Sequence, residues 1–372
     1  MKVADLVRVL EETAPLAYAE EWDNVGLLAG DPDAAITRAL LAIDCTREVI
    51  DEAAHDECQV VVAYHPPIFR PMTRVTRGSI AYDLVRRNIA VYSPHTALDA
   101  ADGGTNDVLA DAVGMDATTR VAIRASATKD TAYKLVTFVP SEAVARLSEA
   151  LFEAGAGRIG DYRSCSFRSS GTGTFFGEPG TTPAVGRAGK METVDEVRLE
   201  AVVPIGRAAE VVRALRGAHP YEEPAFDLVR LANADASANA NANARRGMGR
   251  IGDVVSIDRA ALVTRVKERL DVDHVLVAGP SSGAITRVAV CAGSAGDLLD
   301  AAIELGAQAI VTGEVRHHDA LRAAARGVTV ICALHSNSER IALAPLATRL
   351  RAALPGVTVT LSTVDRDPFV IA

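Results

Sequence analysis

Five cysteines in 372 residues, Cys45, Cys58, Cys165, Cys291 and Cys332, are odd in number and none belongs to a C-x-x-C pair. That argues against a disulfide frame and a thiolate zinc knuckle, and fits buried thiols in a reducing compartment. Basic charge is also short: the net charge is −9, with no stripe of Lys and Arg, which argues against a nucleic-acid binder because that class neutralises phosphate with clustered cations. No apolar run approaches the roughly 20 residues that span a bilayer. The N-terminus, Met1 to Leu10, lacks the pattern of a signal peptide; its apolar residues recur at helical spacing with charges between them, the mark of an amphipathic helix. The expectation is a cytoplasmic protein with no membrane partner.

What remains is a globular composition, 49% apolar and 23% charged, in a chain too long for one ordinary core. Apolar runs at Ala39 to Ile43, Val60 to Ala63 and Ile89 to Tyr92 read as strands, with helical patterns at Arg47 to His55 and Ser79 to Arg87 between them. The same grammar returns near the C-terminus. There Val288 to Cys291, Ala309 to Thr312 and Val328 to Ile331 read as strands, and Gly296 to Leu305 and His318 to Ala325 as helices. This predicts an α/β protein in which two related halves, residues 1–130 and 247–372, form one domain.

Between the halves the pattern changes. Tyr133 to Pro140 reads as a strand, Ser141 to Ala154 as a helix capped by Ser141, and Cys165 to Arg168 as a strand. Val197 to Val203, Ala208 to Leu215 and Ala225 to Val229 repeat strand, helix, strand. Residues 131–231 are therefore expected to be a ferredoxin-like α+β insert. Gly155 to Gly160 follows a helix rather than a strand, so it reads as a turn before a phosphate cradle. Residues 232–246 begin with alternating alanine and asparagine, which offer neither β propensity nor core volume, and are expected to be a linker ending in solvated Arg245 and Arg246. The single tryptophan, Trp22, is expected to fill a corner of the core.

Ligands gather beyond the carboxyl ends of parallel strands, where loops converge. His65 follows the second strand, His95 and Asp99 the third, and Glu314, His317 and His318 another in the second half. His335 follows the last strand and Glu339 lies four residues on, in the first turn of a helix expected over Ile341 to Leu346. Five of the eight histidines thus cluster at strand ends, an arrangement that suits zinc, iron, manganese or nickel. The competing reading is a set of hydrogen-bonded histidines that close loops, with Glu339 complementing a helix dipole.

Several ordered motifs then carry a resemblance. Trp22-Asp23-Asn24-Val25-Gly26-Leu27, Tyr64-His65-Pro66-Pro67-Ile68-Phe69, Pro94-His95-Thr96 with Asp99, Gly103-Gly104-Thr105-Asn106-Asp107, Thr312-Gly313-Glu314 with His317-His318-Asp319, and His335-Ser336-Asn337-Ser338-Glu339-Arg340 are similar to the Nif-three-like family. That family includes GTP cyclohydrolase 1 type 2 homologues and dinuclear metal-centre hexameric proteins. The insert resembles the form with a CutA/PII-like domain, marked by Gly157 to Tyr162 and by His219-Pro220-Tyr221-Glu222-Glu223-Pro224. The resemblance implies two divalent metal ions per chain on His65, Asp99, His335 and Glu339, with Glu339 bridging. It also implies a ring-shaped homohexamer.

One departure stands out. Many members carry His-His-Pro where this chain has Tyr64-His65-Pro66. A phenol, with a pKa of about 10, is a poorer ligand than imidazole at neutral pH, so Tyr64 leaves the first metal position in question. The function implied is a metal-dependent hydrolase acting on a small phosphorylated or nucleotide substrate, GTP ring opening with formate release. His95, Glu314, His317 and His318 are its candidates for proton transfer or support of the ligands. The alternatives are a non-catalytic metal-binding or regulatory scaffold with a ligand-sensing insert, and a ring that uses metal only for stability.

Overall fold

The computed structural model describes residues 1–125, 132–159, 162–231 and 245–371. Two compact units are present, residues 1–127 with 241–372, and residues 128–240. The architecture is mixed α/β.

The first unit holds two five-stranded sheets and a short antiparallel pair, β5 (Arg124–Ala125) with β10 (Gly247–Met248). In one, β2 (Arg38–Ala42), β3 (Val60–Ala63) and β4 (Ala90–Ser93) run parallel, and β1 (Gly26–Ala29) closes the edge antiparallel to β4. In the other, β13 (Ile285–Ser294), β14 (Ala309–Glu314) and β15 (Thr329–Cys332) run parallel between antiparallel β11 (Arg250–Ile257) and β12 (Leu276–Ala278). The central strands are continuous apolar runs because both faces are covered. Val60 and Val62 enter one core while Val61 and Ala63 enter the other.

The relation between the halves reaches hydrogen-bond detail. Gln59 Oε1 accepts from the backbone N and hydroxyl of Thr37 and from Arg38 N; Gln308 Oε1 accepts from the same three groups of Thr286 and Arg287. Asn88 and Gly327, which precede the third strand of each half, both have positive φ. The halves are nonetheless interlocked. Strand β16 (Thr358–Leu361), near the C-terminus, pairs with β2 in the first sheet, which the apolar pattern did not anticipate because its burial is one-sided.

Most elements lie where the sequence places them; the helix Arg47–His55 has the expected bounds, and Ser79 Oγ caps Ile80–Arg86 at Tyr82 N. Four local expectations fail. Trp22 does not fill the core: it is 59% exposed and packs edge-on against Phe69 and His95. Arg245 and Arg246 are half-buried and anchored instead of free in solvent, since Arg245 donates to Ala117 O and Arg246 lies over the Tyr18 ring. Ser141 caps nothing; it opens a 3-10 turn before the helix Val144–Glu153. The last helix starts at His335 itself, over His335–Arg340, and a second follows at Leu343–Ala353. Residues 232–244, the alanine and asparagine run, lie outside the described residues.

The second unit runs β6 (Ala132–Pro140), a helix, β7 (Phe167–Phe176), β8 (Met191–Pro204), the helix Ala208–Ala218 and β9 (Phe226–Arg230). Its sheet order is β7-β8-β6-β9 with every neighbour antiparallel. Leu135, Val139, Leu199, Ala201 and Val203 bury one face against the two helices. Strand β7 starts two residues later than expected and is longer. The turn at Gly155 and Gly157 takes positive φ, and Gly157 N donates to Val202 O, so this backbone serves the fold.

Candidate metal centre

The first unit brings three expected ligands together. His65, His335 and Glu339 present atoms that all lie within 4.8 Å of one another. His65 stands just past β3, and its backbone N is held by Ile43 O at the end of β2. His335 opens its helix, so Glu339, one turn on, faces the same point. The turn is fixed from outside: Ser336 Oγ donates to Asp367, and Arg340 pairs with Asp365, which also accepts from Ile43 N. Leu334 takes φ 72°, a left-handed residue that swings the chain from β15 into this helix.

Each imidazole is oriented by a carboxylate on its outer nitrogen. His65 Nδ1 donates to Asp44 Oδ1 at 2.9 Å, His335 Nδ1 to Glu314 Oε1 at 3.1 Å, and His95 Nδ1 to Asp23 Oδ1 at 2.8 Å. A carboxylate only accepts, so each Nδ1 carries a proton, and it is Nε2 that presents a lone pair once the ring is neutral. Nε2 of His65 stands 3.1 Å from Glu339 Oε2, and Nε2 of His335 3.3 Å from Glu339 Oε1. Nevertheless His65 Nε2 and Glu339 Oε2 are buried without a hydrogen bond, because their approach lacks the geometry of one. Imidazoles that turn Nε2 towards a bare, 2% exposed carboxylate form a donor set that could hold a divalent transition-metal ion. The His95 ring lies 5.4 Å from that of His65, as does the His335 ring.

Asp99 is fully buried beside this group, but its Oδ1 accepts from the Tyr64 hydroxyl, with Thr105 Oγ1 3.0 Å from the phenol oxygen. Burial raises its pKa to about 6, and the neighbouring Glu339 charge adds to the shift. Burial and then Asp99 push the Tyr64 hydroxyl well above its usual value, so it is a neutral donor to Asp99. Burial works against ionisation of Glu339, but the imidazoles of His335 and His65 close to its carboxylate outweigh it and lower its pKa. For His65, burial opposes the charged form, yet Asp44 and Glu339 prevail and raise the pKa to about 10; His335, with the Glu339 carboxylate close by and Glu314 on its other nitrogen, rises to about 9.

Two glycines make room. A Cβ on Gly293, whose φ is +65°, would stand 2.6 Å from Glu339 Oε1, and one on Gly313 2.4 Å from Gly293 O. Asn106 ties the halves together, donating to Asp99 O and accepting from Ala292 N. His317 and His318 are exposed at the start of their helix, edge to face with ring centroids 5.4 Å apart, and stand outside the ligand group. The sequence did not single out Asp44 or the role of Asp23. The available signal for Asp44 was its place at the end of β2, on the edge that also presents His65.

With this geometry established, known proteins can be compared. The profile of the Duf34/NIF3 (NGG1p interacting factor 3) family matches residues 1–368. A Halalkalibacterium halodurans protein named GTP cyclohydrolase 1 type 2 homolog is 36% identical, covering 99% of this chain and 99% of its own. A Bacillus subtilis protein of the same name is 34% identical, covering 98% of this chain and 97% of its own. Among solved structures, a Bacillus cereus protein related to NIF3 has 31% identity and a TM-score of 0.78, covering 100% of this chain and 99% of its own.

Proposed function

We propose, from the premise that the chain belongs to the Duf34/NIF3 family, that it is a dinuclear metal-binding protein acting as a metal-dependent hydrolase. The observation that carries this reading is the pair of buried, unbonded ligand atoms, His65 Nε2 and Glu339 Oε2, inside a ring of imidazoles whose other nitrogens are anchored. His65, His335 and Glu339 would hold one ion and Asp99 would serve a second, with the His95 ring, 5.4 Å from that of His65, as a further donor or proton carrier. Bound divalent ions supply Lewis acidity, activating water and polarising a phosphoryl or carbonyl oxygen. Asp44, Glu314 and Asp23 keep the imidazoles in the ligating tautomer, and Tyr64 holds Asp99 in place without itself ligating. The metal is zinc, iron, manganese or nickel by donor chemistry.

The names of the two similar proteins support a GTP cyclohydrolase 1 type 2-like reaction, opening of the GTP imidazole ring with release of formate. The further proposals are a homohexameric ring in the cytoplasm and a ferredoxin-like, CutA/PII-like insert. The order β7-β8-β6-β9 with all neighbours antiparallel supports that insert. Formate release from GTP by metal-loaded protein tests the reaction. Turnover lost in His335→Ala supports it, and its absence from fully loaded wild-type protein moves the reading to a non-catalytic metal-binding scaffold.

A further inference from the structure

The face of the second unit's sheet that its helices leave open contains a cavity of about 620 Å³, within the range of small-molecule sites. Its floor is built by alternation. Gly171 stands opposite Glu196 and Ser169 opposite Arg198 across β7 and β8, all on the side away from the buried core. Two mid-strand glycines are costly in a sheet, since they add no packing and raise the entropy lost on folding. Here they strip the floor bare. A Cβ on Gly171 would meet nothing within 4 Å, whereas one on Gly173 would run into Glu196 Oε2.

The walls carry a charge and a set of rings. His219 Nε2 donates to Phe138 O while its Nδ1 accepts from Tyr221 N, which pins the His219 to Pro224 loop to β6 at the cavity edge. Tyr221 Oη then donates to Glu196 Oε1 at 2.7 Å, and Glu222 Oε2 accepts from Thr182 N on the opposite rim. Three carboxylates, those of Glu196, Glu222 and Glu223, face a single guanidinium in the lining, Arg198. That guanidinium is already bonded to Glu200 and laid over Phe138. The cavity therefore carries negative charge beside the rings of Phe175 and Tyr221.

We propose that this cavity is a second binding site, for an organic cation: a protonated amine on an apolar or aromatic body. The ammonium sits against Glu196, with Glu222 and Glu223 at the rim, and the body lies on the bare floor of Gly171 and Gly173 among the rings, where cation–π attraction adds to charge pairing. A metal ion is a poorer fit, because none of these carboxylates belongs to a ligand group of three among the described residues. The site stands on the second unit alone and does not depend on the reading of the metal centre.

The test is calorimetric titration of the full chain with phenethylamine, beside its neutral analogue 2-phenylethanol and inorganic phosphate. The expected result is saturable binding of the amine, about tenfold tighter than the alcohol, and none of phosphate. Gly171→Trp fills the floor and is expected to abolish binding; Glu196→Gln keeps the Tyr221 contact and is expected to weaken it about tenfold. Metal content stays unchanged in both. Equal binding of amine and alcohol, no saturable binding, or full amine binding by Gly171→Trp would each overturn the proposal. So would a Gly171→Trp protein that changes only its oligomeric state in sedimentation, which would assign the cavity to a second copy of the chain.

Discussion

The Tyr64 hydroxyl donates to Asp99 Oδ1 with both groups buried, so the phenol braces the carboxylate proposed to serve the second ion. A buried carboxylate that loses such a donor keeps its desolvation cost. Tyr64→Phe is therefore expected to lower stability by about 1–3 kcal/mol. Urea unfolding of metal-free protein measures this, and an unchanged midpoint would mean that Asp99 does not depend on the phenol.

Asp44 orients His65 from its outer nitrogen, at a site open enough that its removal leaves no buried vacancy. Asp44→Asn should weaken metal binding about 10–100-fold, with little effect on folding. Glu314→Gln should act in the same direction through His335. Competition with a coloured chelator reads both, and wild-type affinity in Asp44→Asn would remove the carboxylate from the account.

The protonation of the site gives a pH dependence with a definite sign. His65 and His335 have folded pKa values raised to about 10 and about 9, above the value of about 6.5 expected unfolded. Their pairing with Asp44, Glu339 and Glu314 thus stabilises the metal-free protein fully below about pH 6.5 and fades as pH rises through 9 and 10. Metal affinity should move the opposite way over the same window, with protons released on binding. Calorimetry in buffers of different ionisation enthalpy measures the release; none at pH 7 would contradict the charged pairing.

Gly293 lies under Glu339 with φ +65°, and the Cβ of an alanine would meet Oε1 at 2.6 Å. Gly293→Ala should lose most bound metal. Gly296→Ala is the control, since that glycine also has positive φ but faces open space. It should cost about 1 kcal/mol of stability and keep its metal. Equal metal loss in both would assign the effect to backbone strain.

Much of this site was legible because strand ends are legible. Runs such as Val60 to Ala63, buried on both faces, announce their own limits, and the histidine just past each end is then placed without knowing the fold. Asp44 and Asp23 were harder to see, because an anchoring carboxylate follows no period and its partner lies 21 or 72 residues away. The likeness of the two halves was visible in strand order, but its most specific trace, Ile36-Thr37-Arg38 matched by Ile285-Thr286-Arg287 with a glutamine in the next strand's approach, is too short to stand out before the hydrogen bonds are known. Trp22 was misplaced because its size suggests burial, whereas its edge contact with His95 puts it at the rim of the site.

The central claim is most directly tested by plasma mass spectrometry of the purified protein beside His335→Ala and Glu339→Ala. The account predicts about two divalent ions per wild-type chain and their loss in both variants. Metal retained in full by either folded variant would contradict it.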